Sequence, residues 1–240
     1  KKFFSIRTIA KSTLFSHRIK SAIATGSWIG EKKGVTQNMD KTNYMSIISQ
    51  LQKVSSTLAG EQANFLARTL HPTHYGRFCP VETPEGTEIG LRKNLAIMSK
   101  VSTKIDIKDD DLMKELVKLG LNKEEGDIDT FLNGIFIGSI DNEKEFIQKV
   151  KDKRREGKLP YQLSIRFDRE ARLIIILTDT GRVLRPLIIV DKGISRFGST
   201  EEEQLRSNEL NWEGLIKRGI VEYLDASEED NLFVAPNKNE

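Results

Sequence analysis

Two histidines, the sole cysteine, three carboxylates and three cations crowd into the 25 residues His71-Pro-Thr-His-Tyr-Gly-Arg-Phe-Cys-Pro-Val-Glu-Thr-Pro-Glu-Gly-Thr-Glu-Ile-Gly-Leu-Arg-Lys-Asn-Leu95, among three prolines and three glycines. Prolines fix φ and glycines permit sharp reversals, so this mixture predicts a rigid backbone that aims ionisable groups in set directions. His71, His74 and Cys79 bring nitrogen and sulfur donors close together in sequence, which opens a metallohydrolase reading. A structural zinc site needs a fourth donor, and Pro72 and Pro80 keep the histidines off a common helix face. Backbone-bonded histidines and a packed thiol are the competing reading, and no metal site is assigned. Glu82 and Glu85 could act as an acid and a base if burial split their pKa values, but nothing supplies a second reactant. Arg68, Arg77, Arg92 and Lys93 place four cations within 26 residues. On stiff backbone such cations contact phosphate at little entropic cost, with surface solubility as the alternative explanation.

The elements that must hold these groups come from a chain of 240 residues, 38% hydrophobic, enough for one large or two ordinary cores. Two domains are expected. No run of 18 apolar residues occurs, which argues against a membrane-spanning helix. A single cysteine cannot form an internal disulfide, and a cytoplasmic location follows as the expectation. The net charge of +3 conceals an asymmetry: residues 1–100 hold 15 Lys/Arg against 6 Asp/Glu, and the remainder 23 against 29. A basic half reads as facing a polyanion, an acidic half as facing solvent or protein.

Apolar spacing near 3.6 residues predicts a helix over 3–24 with a cationic face, broken by Gly26 and Gly30, with Trp28 anchoring the turn in a core. A second helix is predicted over 43–58, capped by Asp40 or Thr42, and a short one near 61–69. Residues 91–101 return as a strand or short helix. Beyond Val101, helices are expected over 108–119, 143–156 and 201–218. Strands are expected over 161–167, 172–178, 182–190, 220–224 and 232–234. Asn133-Gly134 predicts a type I′ hairpin, and Asp179-Thr-Gly181 a turn.

The word His-Pro-Thr-His-Tyr-Gly-Arg-x-Cys-Pro-x-Glu-Thr-Pro-Glu-Gly, followed by Ile-Gly-Leu-x-x-x-Leu, resembles the fork region of the second-largest subunit of cellular RNA polymerases. The resemblance extends from Ala24-Thr-Gly-Ser-Trp and Gly34-Val-Thr-Gln-Asn-Met-Asp to Thr178-Asp-Thr-Gly-Arg-Val-Leu-Arg-Pro-Leu187 and Gly219-Ile-Val-Glu-Tyr-Leu-Asp225. The later words look archaeal or eukaryotic rather than bacterial, and the chain resembles the back portion of the upstream half of an archaeal subunit divided between two genes.

That resemblance implies an α+β fold, with a mainly helical lobe and fork portion over 1–98 and a mixed α/β external portion over 99–240. It implies a part in template-directed nucleotidyl transfer from nucleoside triphosphate to RNA. The partners implied are the largest subunit, the remainder of the second-largest subunit, DNA template and RNA transcript, without a membrane. Mg2+ would be held by the largest subunit and no cofactor by this chain, which alone would be inactive. Glu85 is implied near the nucleotide site in a supporting role that orients cations, with a turn-stabilising carboxylate as the competing reading. Gln37 and Asp40 are implied beside the RNA–DNA hybrid, and the nucleic-acid-binding set adds Lys53, Arg68, Arg77, Arg92 and Lys93. The pair Gln52-Lys53 stands where the family usually has two arginines, and Gly86-Thr87-Glu88 where Gly-Pro-Asn is common. Arg185 is expected to pair with an acidic group. The Asp179-Thr-Gly181 word is expected at a hairpin turn followed by cationic Arg182 and Arg185, and is discounted as a protease motif, which needs a second carboxylate sharing one proton in a symmetric partner lobe. A freestanding nucleic-acid-binding or regulatory protein derived from the subunit is the alternative.

Overall fold

The computed structural model describes residues 13–28, 34, 36–56, 58, 60, 64–105, 107, 109–122 and 126–235. The chain divides into two units, one holding the residues through His71 together with Cys79–Leu95, the other Pro72–Phe78 and the residues from Ala96 onward. The signature stretch is therefore shared between them. Helices and strands are mixed along the chain, as an α+β reading requires.

In the first unit, helix α1 (Leu14–Thr25) ends where Gly26 adopts φ +70° and donates its N–H to Ala22 O at 2.9 Å. Residues 3–12 of the helix expected there lie outside the described residues. Trp28, expected in a core, is 44% exposed. Helix α2 (Tyr44–Leu51) starts one residue after Asn43, whose side chain accepts from Ser46 N at 2.8 Å, so neither Asp40 nor Thr42 is the cap. It also stops short of the expected residue 58. The apolar period runs on past Leu51, but Lys53–Ser55 forms strand β1 instead, and long-range pairing overrides the local helical pattern. Helix α3 (Phe65–Arg68) is one turn, capped by Asn64. Strand β2 (Arg92–Asn94) runs antiparallel to β1, with Lys53 opposite Asn94, Val54 opposite Lys93 and Ser55 opposite Arg92.

The second unit contains β3 (Lys100–Val101), α4 (Asp109–Lys118), β4 (Ile128–Leu132), β5 (Ile135–Ile140), α5 (Glu143–Arg155), β6 (Ser164–Asp168) and β7 (Leu173–Leu177). Then come β8 (Val183–Ile188), β9 (Val190–Asp191), β10 (Ile194–Ser195), α6 (Ser199–Arg206), α7 (Trp212–Lys217), β11 (Val221–Leu224) and α8 (Ala226–Glu229). Asn133 and Gly134 take φ +49° and +82°, the backbone a type I′ turn demands, and close the β4–β5 hairpin. A four-stranded sheet follows the order β5-β4-β7-β6, parallel only between β4 and β7. Its apolar face packs Ile165, Ile174 and Ile176 against Leu112 and Leu116 of α4 and Phe146 and Val150 of α5. A second sheet, β11-β8-β3, is antiparallel.

Three expectations need correction here. Residues 201–218 form two helices, because Asn208 takes φ +60° and Asn211 caps a fresh start by accepting from Gly214 N at 2.8 Å. The segment 232–234 is not a strand. Asp225 accepts the Glu228 N–H at 2.9 Å and starts α8, which uses the chain that was expected to lead into a strand. The turn at Asp179–Gly181 joins β7 of one sheet to β8 of the other and is not a hairpin.

Beside the four-stranded sheet, Arg154 of α5 is buried with its guanidinium on both Glu228 oxygens (2.8 and 2.9 Å), on Glu222 (2.9 Å) and on Leu163 O (2.7 Å). Arg155 takes the other side of Glu222 at 2.8 Å, and Lys151 lies 3.9 Å from Glu228. Among the described residues no helix is long and apolar enough to cross a membrane.

Candidate nucleic-acid interface

Thr83, the middle of Glu82-Thr-Pro-Glu85, sews the Cys79–Leu95 segment together. Its hydroxyl donates to Arg92 O and accepts from Gly90 N, both at 2.9 Å. Cys79 N donates to Asn94 O at 2.8 Å, and the buried Asn94 side chain donates to Glu82 O at 3.2 Å. The Cys79 thiol accepts from Glu82 N at 3.4 Å, a packed structural role. These bonds make the segment a braced loop, as its prolines and glycines predict.

Arg68 braces it from α3. Its guanidinium donates to Thr87 O (2.8 Å), Ile89 O (2.9 Å) and Gly60 O (2.6 Å). Gly90, at φ +71°, leaves room for this approach, since a Cβ there would overlap the Arg68 carbonyl. The turn thus pinned, Gly86–Glu88, begins one residue after Glu85, which is exposed and whose side chain does not cap it. Glu85 is therefore presented on a fixed turn with its carboxylate facing solvent.

Arg92 and Lys93 sit on β2, and pairing with β1 brings Lys53 into the same ladder. Residues directly opposite in an antiparallel pair share a face and neighbours in sequence alternate, so the register puts Lys53 and Arg92 on one face and Lys93 on the other. Arg92 holds Glu88 at 2.8 Å while both remain nearly half-exposed, and Lys93 donates to Gly90 O at 2.5 Å. Exposed pairs of this kind contribute little to stability and exchange readily for another anion.

Asp40 and Gln37 are exposed on the stretch preceding α2. Asp40 accepts from the Thr42 hydroxyl at 2.6 Å and the Thr42 N–H at 3.0 Å, and these bonds, led by the hydroxyl, hold its carboxyl below the usual range. Gln50 ties the stretch to α2 by accepting from Asp40 N and donating to Asn38 O, each at 2.7 Å.

In the second unit, Arg77 occupies a position unlike the others. It is 2% exposed, and its guanidinium donates to Thr73 O, Val183 O, Leu224 O and the Glu229 carboxylate. The structure gives this arginine internal partners where the sequence expectation gave it phosphate. His74 packs edge-to-face on Phe78, with ring centroids 5.7 Å apart. Among the described residues no group of three His, Cys, Asp or Glu is gathered to hold a metal ion.

Three family models match the chain in succession: "RNA polymerase Rpb2, domain 3" over residues 37–101, domain 4 over 130–191 and domain 5 over 212–240. The chain belongs to the family of the second-largest RNA polymerase subunit. The DNA-directed RNA polymerase subunit Rpo2 of Sulfolobus acidocaldarius is 36% identical, over 97% of this chain and 22% of its own length. The Rpo2 of Saccharolobus solfataricus is 35% identical over 98% and 22%. Subunit RPC2 of DNA-directed RNA polymerase III from Saccharomyces cerevisiae is 33% identical over 90% and 20%. This second-largest-subunit chain thus spans about a fifth of the length of the relatives it matches. The archaeal character read from its later words agrees with the two archaeal relatives.

The braced loop with Lys53, Gln37 and Asp40 falls wholly within the match to domain 3 of the subunit family. Sequence reasoning passed over Thr83, Asn94 and Glu229, which orient other groups rather than carry charge outward. A threonine before proline in a loop was a readable signal. Glu229 carried none, because its partners are distant in sequence.

Proposed function

We propose that this chain serves in a DNA-directed RNA polymerase by positioning template DNA, the RNA–DNA hybrid and the incoming nucleoside triphosphate. The observation that carries the reading is the succession of three second-largest-subunit models along one chain that also holds exposed cations on a braced loop. The first portion acts as lobe and fork and the second as the external region. The partners are the largest subunit and the remainder of the second-largest subunit, in the cytoplasm. Mg2+ is held by the largest subunit, and this chain without its partners does not transfer nucleotides.

Arg92, Lys93 and Lys53 are the cations that meet phosphate in this reading. Arg68 holds the turn behind Glu85 and contributes through it. Glu85 orients cations near the triphosphate, and Gln37 with Asp40 faces the hybrid. A phosphate contact appears as salt dependence rather than sequence preference. In polymerase assembled with the full-length subunit, R92A/K93A is expected to lower the salt slope of DNA binding by about one unit for each phosphate that is no longer neutralised. An unchanged slope would place both side chains against protein rather than DNA. Glu85→Ala is expected to change elongation rate or fidelity more than promoter binding, and equal losses in assembly and elongation would make it a structural residue.

A further inference from the structure

Five residues of the second unit, Asp225 to Glu229, hold four arginines drawn from four elements or turns. Asp225 bonds Arg182 at 2.9 Å, and Glu228 takes Arg154. Glu229 takes Arg77 at 2.6 Å and, through both of its oxygens, Arg185. The Arg77 side chain is 3% exposed and that of Glu229 16%, so the pair is shielded from solvent. Gly76 permits this packing: it sits at φ +74°, and a Cβ there would come within 2.8 Å of Arg185 Cδ. The His74–Arg77 turn is thereby fastened to β8 and β11 through the Val183 and Leu224 carbonyls. The Arg77 carbonyl accepts from Ala96 N at 2.9 Å, joining the residues that flank the Cys79–Leu95 segment at either end.

We propose that Glu229 is a positioning residue for nucleotide addition, acting through Arg77 to fix the two ends from which the Cys79–Leu95 loop departs. The inference rests on the polymerase reading above. Without the Glu229 charge, Arg77 keeps three neutral carbonyl acceptors but loses its only anionic partner among the described residues, and Arg185 loses the same partner. Charge-assisted bonds are the stronger and more directional ones, so the turn is deprived of the bond that sets its orientation. The loop retains its own internal bonds, among them those of Thr83 and Arg68.

The test uses polymerase assembled with the full-length second-largest subunit carrying E229Q, E229D or, as a surface control, E202Q, whose target pairs with Arg206 on exposed helix. E229Q is expected to lower kcat for nucleotide addition by about ten- to a hundredfold, the upper end being the cost of a misplacement of about 1 Å. Yield of assembled enzyme and DNA affinity stay at wild-type values, E229D recovers at least half of the loss, and E202Q changes nothing. Hydrogen exchange gives an independent reading: peptides covering 72–78 and 96–99 should exchange faster in E229Q. Unchanged exchange and unchanged kcat would overturn the inference, as would a fall in assembly that matches the fall in kcat. A wild-type assembly without nucleotide addition would overturn the polymerase reading and this inference together.

Discussion

Glu228→Ala is expected to destabilise the second unit by about 3–5 kcal/mol, the cost of breaking a buried ion pair by removing one of its members. Arg154 and Glu228 have side chains 2% and 1% exposed, and their two bonds are 2.8 and 2.9 Å long. Neither group can be rehydrated without opening the layer between α5 and β6. The cluster holds three cations, Lys151, Arg154 and Arg155, against two carboxylates, so removing Glu228 leaves Glu222 alone among them. Lys151 already has its pKa lowered, first by burial, and would lose its proton more readily still. Denaturant titration followed by tryptophan fluorescence measures the loss. The double variant R154M/E228A should recover most of it, because an apolar replacement removes the stranded charge together with its partner. No recovery would mean that Glu228 acts chiefly through Ile165 N, which it accepts at 3.3 Å.

The same cluster sets an acid limit. Burial pushes the Glu222 carboxyl up, but bonds and charge from Arg155 and Arg154 outweigh it and hold the group below the ordinary 4.5. A depressed folded pKa contributes stability that is present above the unfolded value and lost as pH falls through the folded one. Stability is therefore expected to decline below about pH 4.5, and Glu222→Gln should flatten that decline.

Gly90→Ala is expected to cost about 3 kcal/mol or more and to loosen the braced loop. Two terms add. An L-residue at φ +71° is strained by about 1–2 kcal/mol. The added Cβ would also overlap the Arg68 carbonyl, which is backbone and cannot rotate away. Relief requires α3 to shift, and Arg68 then surrenders its bonds to the Thr87 and Ile89 carbonyls that pin the turn after Glu85. Hydrogen exchange across 86–92 should rise well above that of Gly86→Ala, where φ is +82° but no atom lies within 4 Å of the new Cβ. Equal effects of the two substitutions would mean that backbone strain alone governs the loop.

Local chemistry made much of this chain legible. The I′ hairpin at Asn133-Gly134, helix α5 and the stiffness of the signature loop follow from residue types that restrict φ or repeat with a fixed period. The helix expected over 43–58 and the strand expected over 232–234 were not legible. Pairing of Lys53–Ser55 with Arg92–Asn94 decided the first, and the Asp225 cap together with Glu228 and Glu229 decided the second. Arg185 was expected to meet an acidic group, and its partner proved to be Glu229.

The amino-acid order alone settled which family words the chain carries, where its backbone must be stiff, and which side chains can bear charge. It did not separate cations that face outward from those that hold the interior. Arg77 and Arg92 have the same chemistry and lie 15 positions apart, yet one is 2% exposed and the other exposed beside Glu88. That difference is tertiary: a guanidinium satisfies whatever acceptors surround it, and only the arrival of β8, β11 and Glu229 around Arg77 placed those acceptors inside the protein.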